Sequence, residues 1–194
     1  MPIVLASTSP IRRHMLEAAG VEHECAAPGI DENPYKERHA EAAALVLALG
    51  SAKALAVSGS RPDAWVIGSD SVVTVPGAGR CDKPRDRDHA AEQLRLFSGQ
   101  AMTLTSGVAL ARGANIEWQC AESARLQVRD LSDAFIADYL DAEWPEVGYT
   151  VGVFRLEGRG VQLFESIEGD HFTILGMPLL PLLGALRERG LIAA

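Results

Sequence analysis

The chain holds 194 residues, 47% hydrophobic and 23% charged, and its 18 basic and 26 acidic side chains leave a net charge of −8. That composition belongs to a folded chain rather than a disordered one, long enough for one substantial domain or two lobes sharing a core. The acidic balance disfavours nucleic acid and anionic membrane as partners, so an anionic ligand needs a local concentration of cations.

Residues 3–6 read as a short apolar strand running into Ser7-Thr8-Ser9-Pro10-Ile11-Arg12-Arg13. Ser9 suits an N-cap and Pro10 the first helical position, with the helix reaching about residue 19 and stopping at Gly20. Arg12 and Arg13 then fall in the first turn, where the helix dipole disfavours cations. Two cations beside free backbone N–H groups and three hydroxyls make sense around a phosphate or polyphosphate. The alternative is that both arginines are solvated and the serines only cap. Residues 23–26 read as a strand, 28–34 as an acidic loop, and 40–58 as an Ala- and Leu-rich helix ended by Gly59, Ser60 and Pro62. Residues 64–75 form a β-branched run interrupted by Gly68-Ser69-Asp70-Ser71, and 76–79 a turn. An amphipathic helix over 87–97 precedes two long strands, 102–111 and 116–128, joined by a turn. A helix over 133–140, a strand over 161–167, a turn at 168–170 and a helix over 178–189 complete the reading. The expected fold is mixed α/β: an elongated sheet with flanking helices, βα units early and a hairpin later. No repeat or linker interrupts it, so residues 1–194 are expected to form one domain with two lobes around a central cleft.

Several polar residues sit where packing alone does not put them. Asp70 interrupts an apolar strand, where a carboxylate is costly unless it meets a cation or is fully hydrogen-bonded. At a strand end beside Gly68 it would project into a crevice, or else make an Asx-type turn. Asp31 and Glu32 lie in a Pro-bounded loop, either solvated or completing a divalent-metal site with Asp70; Mg²⁺ takes one or two carboxylates plus phosphate oxygens and water. Lys53 in a helix and Lys83 before Pro84 gain meaning only beside Arg12, as further cations for a polyphosphate. Arg155, Glu157 and Arg159 read as a flexible turn. Cys25, Cys81 and Cys120 show no C-x-x-C spacing and the five histidines no zinc pattern, and no basic-then-apolar leader opens the chain. These features point to a cytoplasmic protein without a disulfide framework or a spanning helix.

Taken together the motifs resemble the Maf family of nucleoside triphosphate pyrophosphatases. The resemblance rests on Leu5-Ala-Ser-Thr-Ser-Pro-Ile-Arg-Arg13, Gly68-Ser-Asp-Ser-Val-Val73, Lys83-Pro84 with Phe97-Ser-Gly99, Ser106-Gly-Val-Ala-Leu110, and Gly169-Asp-His-Phe-Thr-Ile-Leu-Gly-Met-Pro-Leu179. It implies a fold shared with inosine triphosphatase-like enzymes, usually as a homodimer. The implied reaction is hydrolysis of a nucleoside triphosphate to monophosphate and pyrophosphate with Mg²⁺ or Mn²⁺, in the service of cleaning the nucleotide pool. By position, Asp70 would be the proton acceptor or metal-linked base and Glu32 would assist with the metal. Ser7, Arg12, Lys53 and Lys83 would hold phosphates, with Ser9 and Arg13 nearby.

The positions implied to set base specificity are Ile11, Ser71 and Glu157, where the branch resembling dTTP/UTP pyrophosphatases carries Arg, Thr and Gln. A Gln amide offers a donor and an acceptor to a uracil or thymine edge, whereas Glu only accepts and so suits the adjacent N–H donors of guanine. The branch resembling 7-methyl-GTP pyrophosphatases shares that Glu and the Cys25-Ala-Ala-Pro28 stretch, but has an aromatic residue at position 11 and Gln at position 71. A dTTP/UTP-type enzyme, and a non-enzymatic regulator of cell division, stay as alternatives.

Overall fold

A computed structural model of the chain describes residues 1–193. β1 (Ile3–Leu5) leads into α1 (Pro10–Ala18), and β2 (Glu24–Cys25) is followed by α2 (Asn33–Arg38) and α3 (Ala42–Ser58). β3 (Trp65–Val75), β4 (Gly79–Cys81) and α4 (Arg87–Phe97) precede the hairpin of β5 (Ala101–Arg112) and β6 (Asn115–Val128). After α5 (Asp133–Glu143) come 3-10 turns at Glu146–Tyr149 and Arg159–Leu163, then β7 (Phe164–Glu168), α6 (His171–Leu175) and α7 (Leu179–Glu188). Seven strands run in the order β2-β1-β3-β5-β6-β7, with β4 paired onto β3. β1 is parallel to β2 and β3, whereas β4 on β3 and β7 on β6 are antiparallel. The fold is therefore mixed α/β with flanking helices, as its sequence pattern implies.

Four local expectations are corrected. Ser9 holds the N-cap position of α1 but its side chain caps nothing. The acidic loop continues into α2, whose second residue is Pro34, a favourable early helix position. Asp70 does not end a strand: β3 runs unbroken from Trp65 to Val75, because Val72-Val-Thr-Val75 continues the β-branched pattern and its end pairs with β4. The strand expected over 161–167 begins only at Phe164, after a 3-10 turn, and Asp170 then starts α6 by accepting a hydrogen bond from the Thr173 N–H.

The backbone divides into two compact units. The first comprises Met1–Ser71, Thr105–Glu122 and the chain from Asp170 onward. Here β1 alternates between two cores: Ile3 and Leu5 pack with Ile67, Leu16 and Leu182, while Val4 and Ala6 pack with Val66, Ala54 and Val57. Helices cover both faces, which is why β1 is apolar at every position. α3 lies unusually near the strands. A methyl group on Gly68 would sit 2.1 Å from the Gly50 carbonyl oxygen and 2.6 Å from Ala54 N, and one on Gly107 would sit 2.8 Å from the Val46 backbone. Only glycine permits that approach.

The second unit comprises Val72–Leu104 and Ser123–Gly169. α4 packs on α5, each begun by a side-chain cap: Asp86 accepts from His89 N–H and Ser132 from Phe135 N–H. Leu94, Phe97, Leu126, Ile136 and Leu140 are fully buried in it. The segment expected to be a flexible turn is anchored instead. Glu143, buried on α5, accepts from Arg155 Nη2 at 3.0 Å and from the Arg159 N–H at 3.4 Å. A methyl group on Gly160 would lie 2.4 Å from the Arg155 carbonyl oxygen, so the loop closes tightly on itself.

Candidate active site

The polar centre of the first unit is built around the middle of β3. Side chains alternate along a strand, so Gly68 and Asp70 share the face of Val66, covered by α3. On α3, Lys53 follows Gly50 by three residues and rises from the same helix face. The Gly50–Gly68 contact thus sets Lys53 against Asp70. The Lys53 ammonium nitrogen lies 2.6 Å from Asp70 Oδ1 and 2.7 Å from Glu32 Oε1. Glu32 stands just before α2. The Lys53 and Asp70 side chains are only 10% and 14% exposed, which is tolerable because each charge meets its opposite.

Ser69 and Ser71 point to the other face, that of Ile67. Arg12, at the start of α1, donates through Nε to the Gly176 carbonyl at 2.9 Å and through Nη2 to Ser71 Oγ at 3.1 Å. Ser69 Oγ donates to the same carbonyl at 3.0 Å. Burial pushes the Arg12 guanidinium pKa down, while the fields of Asp70 and then Glu32 push it up. The group stays a cation regardless, since a guanidinium is far too basic to lose its proton in a protein.

Five of the sequence-implied residues, Arg12, Glu32, Lys53, Asp70 and Ser71, are therefore brought together in one unit. Ser7, Ser9 and Arg13 line a cavity of about 210 Å³ with Cys25 and Ala26. Ser7 Oγ accepts from the Ser9 N–H at 3.1 Å, and exposed Arg13 lies 3.6 Å from Glu17. Ile11 is half-buried and packs against the core of Leu16 and Leu182. Lys83 and Glu157 belong to the second unit. Lys83 is exposed just beyond β4, and exposed Glu157 neighbours Arg155, whose affinity for its proton is raised first by the hydrogen bond to Glu143 and less by Glu157.

Asp70 Oδ1 and Glu32 Oε1 converge on the Lys53 ammonium, and a divalent cation held by the same two carboxylates would have to share them with it. Asp70 and Glu32 would supply both protein ligands, with phosphate oxygens and water completing the shell. Among the described residues, no group of three or more His, Cys, Asp or Glu could hold a metal ion. Two carboxylates are nevertheless enough for Mg²⁺ when the ligand itself brings oxygens. The sequence reading missed Ser106 and the Gly176 carbonyl, and missed the Gly50–Gly68 contact that registers Lys53. A glycine inside a strand run was the available signal for the last.

The profile of the family described as "Maf-like protein" matches residues 2–189. A protein of Rhizobium meliloti named 7-methyl-GTP pyrophosphatase is 45% identical over 99% of this chain and 98% of its own length. A protein of Sphingopyxis alaskensis named nucleoside triphosphate pyrophosphatase is 40% identical over 98% of both. Among solved structures, the Ham1 protein of Staphylococcus aureus aligns over 98% of this chain with a TM-score of 0.48 and 12% identity. Matches spanning nearly the whole chain, at identities of 40% and above, show that it belongs to the Maf family.

Proposed function

We propose that this protein hydrolyses a nucleoside triphosphate to the monophosphate and pyrophosphate, clearing unwanted nucleotides from the pool. The observation that carries the reading is Lys53 held between Asp70 and Glu32, with the Arg12 guanidinium in the field of both carboxylates. Phosphoryl transfer is mostly positioning and charge neutralisation, and this centre offers both. Asp70 accepts a proton from water as the water oxygen bonds to the α-phosphorus. The bridging α–β P–O bond breaks, and pyrophosphate leaves with that electron pair. Arg12 and Lys53 neutralise the phosphates, and Ser7 and Ser9 donate hydrogen bonds to them. A divalent cation, Mg²⁺ or Mn²⁺, held by Asp70 and Glu32, would supply further charge neutralisation. The names of the related proteins and the guanine-compatible Glu157 favour a guanine-type base such as 7-methyl-GTP over dTTP or UTP. A cytoplasmic location and a homodimer belong to the same reading. Among the described residues no helix is long and apolar enough to cross a membrane.

The test is an Asp70→Asn variant assayed for pyrophosphate release from a nucleotide panel with Mg²⁺ or Mn²⁺. Its circular dichroism should match the parent while its rate falls by about a hundredfold or more, the usual effect of losing a general base. Undiminished turnover would remove Asp70 from the reaction. If the unaltered protein turned over no nucleotide at all, the regulatory alternative would replace the enzymatic one.

A further inference from the structure

Ser71 occupies a position that the family resemblance assigns to reading the base, yet its proton and one of its acceptor sites are engaged by other protein groups. It accepts from Arg12 Nη2 at 3.1 Å. Its single proton is shared between Ser106 Oγ at 2.8 Å and the Gly176 carbonyl at 3.1 Å. Ser106, fully buried on β5, passes its own proton to the Thr173 carbonyl at 2.7 Å. That leaves Ser71 as the only partner Ser106 accepts from in this chain of bonds. The Thr173 hydroxyl in turn donates to Glu122 Oε2 at 2.9 Å. A hydroxyl offers one donor and two acceptor sites, and on Ser71 the donor and one acceptor are taken by protein groups.

We propose that Ser71 and Ser106 are positioning residues that aim the Arg12 guanidinium at the phosphates. The proposal rests on the reading of Arg12 as a phosphate ligand. Its geometry is specific. Arg12 is gripped at two of its nitrogens, Nε on the Gly176 carbonyl and Nη2 on Ser71, which fixes the plane of the guanidinium fork. The Gly176 carbonyl that receives Arg12, Ser69 and Ser71 sits at a left-handed residue, φ 111°, so the α6 end is turned to present that oxygen. A run of hydroxyls donating in one direction also strengthens each member, so the acceptor offered to Arg12 is better than an isolated serine.

The probe is inorganic tripolyphosphate, which has charge but no base, used as a competitive inhibitor alongside GTP, 7-methyl-GTP, UTP and dTTP as substrates. Ser71→Ala should weaken tripolyphosphate inhibition about tenfold and lower kcat/KM by a similar factor for every nucleotide, the scale expected for a hydrogen bond to a charged group. Ratios between nucleotides should not move. Ser106→Ala should act in the same direction, and Ser71→Thr, which keeps the hydroxyl, should restore tripolyphosphate inhibition. In an Arg12→Ala background, Ser71→Ala should add no further loss, because the two act as one unit. Circular dichroism and thermal melting check that each variant is folded. A changed nucleotide ratio with unchanged tripolyphosphate inhibition would make Ser71 a base reader and overturn the proposal, as would losses that multiply in the double variant. If Arg12→Ala alone left tripolyphosphate inhibition untouched, the fault would lie with Arg12 as a phosphate ligand.

Discussion

Replacing Gly68 by alanine tests whether the backbone approach of α3 to β3 sets the chemistry. The added methyl group would lie 2.1 Å from the Gly50 oxygen and 2.6 Å from Ala54 N, both backbone atoms that no rotamer change can move. Contacts of this kind below 3.0 Å do not persist, so helix and strand must part by about 1 Å. Overpacking of this sort costs about 1–3 kcal/mol, and the involvement of backbone on one side places it near about 3. For a chain of this size that is a fall in Tm of roughly 6–12 °C. The same shift lifts Lys53 from its 2.6 Å contact with Asp70. A misplacement of about 1 Å at a reacting centre costs about a hundredfold in rate. Thermal melting and pyrophosphate release at a temperature where the variant is folded measure the two effects separately. Gly184→Ala is the control, since no atom lies within 4 Å of a methyl group there and a helical glycine gains about 0.5–1 kcal/mol on becoming alanine. A Gly68→Ala protein that melts within about 1 °C of the parent and keeps its full rate would refute the reasoning, because the margin is far below the shift expected.

Other outcomes follow from the same structure. Chelation with EDTA should abolish pyrophosphate release, and Mn²⁺ or Mg²⁺ should restore it, if Asp70 and Glu32 hold a divalent cation as proposed. Glu157→Gln should lower kcat/KM for guanine-type nucleotides relative to dTTP and UTP, because an amide offers the donor that a uracil or thymine edge needs; an unchanged ratio would take Glu157 out of base reading. Glu143→Gln removes the charge that holds Arg155 while keeping the side chain's shape. Since Arg155 is about a third exposed, the loss should be about 1–2 kcal/mol, a Tm lower by roughly 2–8 °C. Limited proteolysis should then cut first within residues 152–163, and an unaltered melting curve would show that the pair does not anchor the loop.

The sequence announced α4 to the residue, because an amphipathic stripe over 87–97 is closed by Ser98-Gly99, both local signals. It also placed α1, through Pro10 and Gly20, and singled out Asp70 as a carboxylate that packing alone does not explain. α2 and α6 escaped because each is short and lacks an apolar stripe, although Pro34 and the Asp170–Thr173 spacing were legible start signals. Asp70 was read as breaking its strand because propensity sees one residue at a time. β3 continues through it because pairing with neighbours and the Lys53 ammonium offset the cost.

What the chain order alone determined is the kind of chemistry available: two acidic residues, several cations and hydroxyl-rich turns spaced as in a phosphate-handling family. What only the tertiary structure decided is who meets whom. Lys53 reaches Asp70 and Glu32 because two glycines let a helix ride on a strand, and Ser71 serves Arg12 because Ser106 and the Gly176 carbonyl close around it. These partners lie 17 to 105 residues apart along the chain. Local propensity cannot register such pairs; backbone proximity and the alternation of strand faces do.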